Sequence, residues 1–297
     1  MTERPQTDGL VVVDKPAGFT SHDVVAKLRG IYRQRRVGHA GTLDPDATGV
    51  LLVGLGRVTR LLRYLQDTSK AYRGVVAFGV ATDTLDAAGS VLERRPMPVS
   101  ADDLRAAAAR FVGDIQQVPP MVSALKVGGK RLHELARAGE EVERPPRPVH
   151  IARLDVEDFE PGPYPRATVL VECSSGTYIR SLAFDLGRAL GGPAHLATLR
   201  RLRVGPFTLD DAHPLDVIEA DPAAVVLTPA DALRDLPRVE VGEDVARAVA
   251  HGAVFPEAAL PVEGNGPWAL LGPDAALLAV YERRGAALKP AVVIARG

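Results

Sequence analysis

Short apolar runs typical of buried strands alternate with segments of helical periodicity along the first two thirds of the chain. The strand-like runs are residues 10–14, 50–53, 72–80 and 167–173. Helices are predicted after Thr20 and Ser100, over 57–66 and from residue 179. Thr20 and Asp23 form a capping-box pattern. The chain must therefore fold as a mixture of strands and short helices.

The sequence also excludes several kinds of cross-link and membrane segment. Cys173 is the only cysteine among 297 residues, which excludes an internal disulfide framework and a thiolate metal cluster. No stretch of about 18 residues is apolar and free of charge, so we expect no membrane span. The first residues lack the basic and apolar regions of a signal peptide, and we expect a cytoplasmic protein.

Charge is unevenly distributed although the formal net charge is only -1. Residues 1–75 hold 12 Lys and Arg against 7 Asp and Glu, whereas residues 206–297 hold 7 against 14. A basic first quarter points to a polyanion site, and unevenly scattered solvated charge fits the same numbers. On the helix predicted at 57–66, Arg57, Arg60 and Arg63 lie off the apolar stripe.

The most informative segment is residues 37–49, VGHAGTLDPDATG, which we predict to be a glycine-rich functional loop. Pro45 biases Asp44 toward an extended conformation, which would fix the direction of its carboxylate. An ordinary Asp-Pro turn with a surface carboxylate is the alternative. Asp46 is too close in sequence for the two carboxylates to face each other across a glycosidic bond.

Three other features were candidates for chemistry. Asp83 and Asp86 fit a turn with side-chain hydrogen bonds better than a calcium loop. The seven histidines show no paired spacing for zinc, so we predict no metal. Arg180 falls in the first turn of a predicted helix, where a cation is unfavourable. Either a buried carboxylate holds it, or it is simply exposed.

Five segments, in order, resemble the TruB family of bacterial tRNA pseudouridine-55 synthases. They are GLVVVDKPAGFTSHD (9–23), RRVGHAGTLDPDATGVLLVGLGRVT (35–59), KAYRGVVAFGVATDTLDAAG (70–89), QVPPMVSALKVGGKRLHELARAG (117–139) and CSSGTYIRSLAFDLGRALGGPAHLATLRRLRVGPF (173–207). The resemblance implies an α+β fold with a central, mainly antiparallel mixed sheet flanked by helices.

The resemblance suggests a domain plan, and so does the change in composition after Asp210, where acidic residues, Ala and Pro become frequent. Residues 1–230 would form the catalytic domain, with an irregular RNA-clamping insertion at about 114–147 that contains a short helix at 131–138. Residues 236–297 would form a small β-rich module similar to a PUA domain.

In this family a uridine of the tRNA T-loop is isomerised without a cofactor. By resemblance, Asp44 is the nucleophile, adding either to ribose C1′ or to the uracil ring, and Arg180 pairs with it. Tyr72 would stack on the flipped base and move a proton late in the reaction. Tyr178 and Leu199 would line the same pocket, and His39 would enter the space that the base leaves.

The implied partner is the T-arm of tRNA, bound by a monomer that needs neither a protein partner nor a membrane. The residues expected to contact the RNA backbone are Lys15, Arg35, Arg36, Arg60, Arg63, Lys126, Lys130, Arg200 and Arg201. Two alternatives remain: a guide-RNA-dependent pseudouridine synthase that requires protein partners, or a tRNA-folding chaperone or RNA-binding protein.

Overall fold

The computed structural model describes residues 6–123, 126–127, 130–131 and 142–295. The strands are β1 (Gly9–Lys15), β2 (Val37–Ala40), β3 (Thr48–Leu55), β4 (Lys70–Phe78), β5 (Val80–Thr82), β6 (Val91–Arg94), β7 (Gly113–Gln117), β8 (Lys126–Val127), β9 (Lys130–Arg131), β10 (Arg147–Glu160), β11 (Arg166–Cys173), β12 (Ala194–Val204), β13 (Phe207–Thr208), β14 (Arg238–Glu240), β15 (Phe255–Pro256), β16 (Trp268–Leu271), β17 (Leu277–Arg284) and β18 (Ala287–Val293). The α-helices are α1 (Ser21–Ile31), α2 (Leu62–Gln66), α3 (Ala101–Ala109), α4 (Ile179–Ala189), α5 (Leu215–Ala220), α6 (Pro229–Ala232) and α7 (Glu243–Ala250). None of the helices in these ranges is long and apolar enough to cross a membrane.

A nine-stranded mixed sheet forms the centre of the molecule, in the order β1-β3-β12-β4-β11-β10-β7, with β2 added to β3 and β13 to β12. Only the pairing of β3 with β12 is parallel. One edge of β3 is shared: β2 pairs with its second half, and β12 pairs with its start at Thr48 and Gly49. The connection 41–47 leaves the sheet at this junction, and its Asp44 lines the same pocket as Leu199 of β12.

Three apolar clusters cover this sheet. One packs α3 and α4 against β4, β10 and β11, a second packs α1 against β1 and β3, and the third includes α2. The helix starts follow the predicted caps, since Thr20 and Ser100 each form a capping box with the residue three positions later. The α+β prediction is confirmed.

A second sheet of five strands, in the order β14-β16-β17-β18-β15, encloses Trp268 and Tyr281. It does not stand apart from the central sheet. Leu271, Val280 and Ile294 share one buried cluster with Leu10 and Leu61 of the first part of the chain. Apolar packing therefore continues across the expected boundary near residue 230.

Several local expectations differ from the structure. Residues 37–40 of the predicted loop form β2, because their backbone completes the free edge of β3. The helix expected at 57–66 is interrupted: a 3₁₀ turn, Gly56–Arg60, precedes α2, although the predicted stripe Val58, Leu61, Leu62 and Leu65 is buried. The insertion begins as β7, a regular strand of the central sheet. The helix expected at 131–138 lies outside the described residues.

Candidate active site

A pocket of about 410 Å³ opens where the 41–47 connection, β4, β12 and the start of α4 meet. It brings together five of the residues singled out from the sequence, which are Asp44, Tyr72, Tyr178, Arg180 and Leu199. They come from four separate elements, so only the tertiary fold makes them neighbours. Asp67, Lys70 and Arg201 complete the charged part of the wall.

Arg180 and Asp44 form an ion pair, with 3.0 Å between Nη2 and Oδ1. The Arg180 side chain is only 5% exposed, which decides between the two interpretations of a cation at a helix start. Its guanidinium also donates to the carbonyls of Thr84 (3.2 Å) and Val122 (2.9 Å). The pair is therefore held in one orientation from several directions.

Asp86 is a site residue that sequence reasoning missed. Its carboxylate does accept from Thr84 and Ala88 in the predicted turn. It also lies 3.3 Å from Arg180 Nη1. No local sequence signal could reveal this second contact, because it joins two segments almost a hundred residues apart.

Partial burial raises the pKa of the Asp44 carboxyl above its usual value. The Arg180 guanidinium opposes this effect, while the neighbouring Asp86 carboxylate adds to it. Asp44 thus combines desolvation, which makes a carboxylate more reactive, with a cation that favours the ionised form. This combination is typical of a positioned nucleophile or general base rather than of a surface turn.

The connection that carries Asp44 is fixed at three points. Arg201 Nη2 donates to the Gly41 carbonyl at 3.0 Å. The Ser21 hydroxyl accepts from the Leu43 amide (2.9 Å) and donates to the Leu43 carbonyl (3.3 Å). The Lys15 ammonium donates to the Pro45 carbonyl at 2.8 Å. These hydrogen bonds hold the connection in place and so give the Asp44 carboxylate a fixed direction.

These contacts correct two predicted phosphate contacts. Lys15 is fully buried and also donates to the carbonyls of Pro16 and Phe19, and burial lowers its pKa to about 8. Arg201 is 1% exposed and donates to the carbonyls of Gly41 and Val50. Neither side chain reaches the surface, and both donate to backbone carbonyls of the connection that carries Asp44. The sequence shows that both side chains are charged, but it does not show that both are buried.

Tyr178 caps α4, and Gln117 at the end of β7 fixes its backbone. The Tyr178 amide donates to Gln117 Oε1 at 2.7 Å, and Gln117 Nε2 donates back to the Tyr178 carbonyl at 3.0 Å. Gln117 is almost fully buried. These two hydrogen bonds therefore join the first strand of the insertion, β7, to the start of α4, which carries Arg180.

His39 lies in β2, outside the residues that line the pocket. Its ring meets that of His22 edge to face, with 5.3 Å between the centroids. Burial, together with the neighbouring His22 and Arg201, lowers the pKa of His39 to about 4. Nδ1 is buried, and no hydrogen-bond partner for it occurs in the described part of the chain.

The other residues predicted to contact phosphate differ in how exposed their side chains are and in whether they already have a partner within the protein. Arg35 and Arg36 are exposed. Arg60 donates to the Val293 carbonyl (2.9 Å), and Arg63 pairs with Glu282 (3.1 Å), so the face expected to be free contacts the second sheet instead. Arg200 pairs with Asp14 at 2.7 Å and is 40% exposed. The side chains of Lys126 and Lys130 lie outside the described residues.

Among the residues that the structure describes, no group of three or more His, Cys, Asp or Glu side chains is arranged to hold a metal ion. The charged and phenolic groups that line the pocket are two carboxylates (Asp44 and Asp67), two guanidinium groups, an ammonium and two phenols. They can supply nucleophilic attack, charge stabilisation and proton transfer.

Comparison with known proteins identifies the family. A family model described as the N-terminal domain of TruB family pseudouridylate synthase matches residues 29–179, and one described as the tRNA pseudouridylate synthase B C-terminal domain matches 180–236. The tRNA pseudouridine synthase B of Corynebacterium aurimucosum is 48% identical over 96% of this chain and 95% of its own. That of Thermobifida fusca is 47% identical over 97% of this chain and 99% of its own.

Solved structures show the same fold. A chain in the crystal structure of a Cbf5-Nop10-Gar1 complex is 26% identical, with a TM-score of 0.73 over 97% of this chain and 85% of that one. A chain in the archaeal box H/ACA sRNP Nop10-Cbf5 complex is 25% identical, with a TM-score of 0.73 over 99% of this chain and 89% of that one. The sequence matches and this shared fold establish that the chain belongs to the TruB family of pseudouridylate synthases.

Proposed function

We propose that this enzyme isomerises uridine 55 in the T-loop of tRNA to pseudouridine. The observation that carries the proposal is the Asp44–Arg180 pair beside Tyr72 in one pocket, in a chain nearly half identical to proteins named tRNA pseudouridine synthase B. The pocket is large enough for a single flipped base, and such an extruded base is the substrate form that base-modifying enzymes use.

The reaction breaks the bond between C1′ and N1 and forms one between C1′ and C5. A proton leaves C5 and N1 gains one, so no oxidant, reductant or cofactor enters the balance. Asp44 is the nucleophile, and Arg180 favours its ionised form. Addition to C1′ and addition to the uracil ring both fit this geometry.

The base is held by aromatic and apolar side chains. Tyr72 offers a ring at the floor of the pocket, and stacking on such a ring contributes about 1–3 kcal/mol. Tyr178 and Leu199 bound the base from the sides. His39, neutral at physiological pH because its pKa lies near 4, enters the space that the base leaves in the T-loop.

The RNA backbone runs past the exposed cations Arg35 and Arg36, toward Arg200 and the insertion that carries Lys126 and Lys130. Residues 1–230 form the catalytic domain, and 236–297 act as a PUA-like RNA-binding module. The enzyme works as a cytoplasmic monomer without an obligatory protein partner. The high identity to tRNA pseudouridine synthase B over nearly the whole chain favours this view over dependence on a guide RNA.

The proposal is tested by incubating the purified chain alone with a T-arm RNA transcript and mapping pseudouridine base by base. We expect one modified position, lost when that uridine is replaced by cytidine. No product from the chain alone, with product after addition of a guide RNA and partner proteins, would support the guide-dependent alternative. Tight binding without turnover under all conditions would support a chaperone.

A further inference from the structure

Among the residues that the structure describes, Arg201 is a buried cation without a carboxylate partner. Its neighbours on β12 are paired, Arg200 with Asp14 at 2.7 Å and Arg203 with Glu172 at 2.8 Å. No ion pair in the described part of the chain includes Arg201, which is 1% exposed. Burying an uncompensated guanidinium is unfavourable, so its retention in this position requires a reason.

Both ends of the connection that carries Asp44 meet Arg201. At the first end, the guanidinium donates to the Gly41 carbonyl at 3.0 Å. Beyond the other end, Nε donates to the Val50 carbonyl in β3 at 2.7 Å. At the other end, Gly49 pairs with Arg201 across the parallel β3–β12 junction. A Cβ on Gly49 would lie 2.1 Å from the Arg201 carbonyl oxygen, so the two backbones are in close contact.

Tyr72 faces the same residue. It stands opposite Arg201 in the antiparallel β4–β12 pairing, and directly opposite residues project on the same side of a sheet. Both side chains line the pocket. Burial raises the pKa of Tyr72, and the positive charge of the neighbouring Arg201 guanidinium opposes this effect.

We propose that Arg201 is a positioning residue that places the nucleophile loop and the Tyr72 phenol in one fixed frame. The inference rests on the proposed function and adds to it a residue that contacts neither base nor phosphate. Because the guanidinium donates to Gly41 and Val50 and lies opposite Tyr72, movement of any one of them changes the distance between Asp44 and the stacked base. Misplacement of reacting groups by about 1 Å is enough to slow a reaction about a hundredfold.

A double-mutant cycle tests this directly, with kcat and KM measured on a T-arm RNA for Arg201→Met, Tyr72→Phe and the double variant. We expect Arg201→Met to lower kcat about a hundredfold while KM changes less than about threefold. If Arg201 acts through the phenol oxygen, Tyr72→Phe slows wild type but causes little further loss in Arg201→Met.

Arg201→Lys keeps a cation but cannot reproduce the two guanidinium contacts to the Gly41 and Val50 carbonyls, so it should restore only part of kcat. Should Arg201→Met fail to fold, as judged by thermal unfolding, Arg201→Lys takes its place in the cycle. The matched control is Arg73→Met, which removes an arginine next to Tyr72 that pairs with Glu157 on the exposed face. Its kcat should equal that of wild type.

The inference would be overturned by losses that multiply independently in the double variant, or by an Arg201 variant that raises KM with kcat unchanged. An unchanged kcat in Tyr72→Phe would overturn it as well, because the phenol oxygen would then have no role for Arg201 to support. If wild type forms no pseudouridine, the proposed function itself fails. If wild type forms pseudouridine but the two substitutions have additive effects, only the role of Arg201 is contradicted.

Discussion

The arginines of the pocket and the arginines at the contact with the second sheet have opposite surroundings. Arg180 and Arg201 are 5% and 1% exposed. Backbone carbonyls fix both guanidinium groups, and carboxylates also pair with Arg180. Arg60 and Arg63 are exposed, although they too contact specific acceptors, Val293 and Glu282. The residue type is the same, and so is its charge.

The difference shows that burial, not charge, decides what an arginine does here. A buried guanidinium that loses its geometry leaves unpaired groups in a medium of low polarity, at a cost of about 3–5 kcal/mol. An exposed pair contributes about 0–1 kcal/mol, because water competes for both partners. Changes in the pocket should therefore affect chemistry strongly, and changes at the second contact should affect stability or binding modestly.

The largest expected effect is at the carboxylate that the buried arginine holds. Asp44→Asn should lower kcat at least about a thousandfold, because the amide cannot act as the nucleophile, while RNA affinity stays nearly unchanged. Single-turnover pseudouridine formation and filter binding measure the two quantities. The matched control is Asp46→Asn, an exposed carboxylate in the same connection, which should remain active. Substantial turnover by Asp44→Asn would contradict the assignment.

Arg180→Lys tests whether geometry matters beyond charge. Lysine keeps the cation but cannot reach Asp44, Thr84 and Val122 together, so kcat should fall about a hundredfold. Arg188→Lys is the matched control, since Arg188 lies exposed on the same helix over the ring of Phe184. Near-wild-type turnover in Arg180→Lys would show that the pocket needs only a positive charge.

Packing at the second contact is tested by Leu271→Ala. Leu271 belongs to the buried cluster shared between the two sheets, so the substitution should lower the free energy of unfolding of the whole protein by at least about 2 kcal/mol. Urea unfolding should stay a single transition. Removal of residues 236–297 should then impair folding as well as weaken RNA binding. Two transitions, with the larger one unchanged, would show instead that 236–297 fold independently.

The salt dependence of RNA binding should distinguish an exposed arginine that contacts phosphate from one that is paired with a carboxylate of the protein. Arg36→Ala should lower the slope of log Kd against log salt by about one unit if Arg36 contacts a phosphate. Arg63→Ala should change it less, because Arg63 is paired with Glu282. Tyr72→Ala should weaken catalysis without changing the slope, since stacking releases no counterions. Equal slope changes for Arg36→Ala and Arg63→Ala would contradict this distinction.

The smallest effect concerns His39. Its pKa is lowered from 6.5 to about 4, so between these values the unfolded chain binds the proton more tightly than the folded protein. His39 therefore makes stability fall as pH is lowered through this window. His39→Asn should show a weaker decline between pH 7 and pH 5 by urea unfolding. Parallel curves for wild type and variant would contradict the buried, neutral state of His39.

The sequence by itself determined the elements with strong local signals. The apolar runs that became β1, β3, β4 and β11 bury their side chains wherever they pair, and the Thr20 and Ser100 caps satisfy helix amides within one turn. The ordered motifs also identified the family and the residues that meet in the pocket. The sequence analysis predicted neither β10 nor β12, two strands that carry many charged residues.

Only the tertiary structure decided which charges are buried. Lys15, Arg201 and Arg63 look alike as sequence, yet the first two lie beneath the Asp44 connection and the third faces the second sheet. Asp86 and Gln117 joined the site through partners far away in the chain. The physical reason is that local sequence sets backbone preference, whereas desolvation and pairing depend on which distant segments cover a side chain.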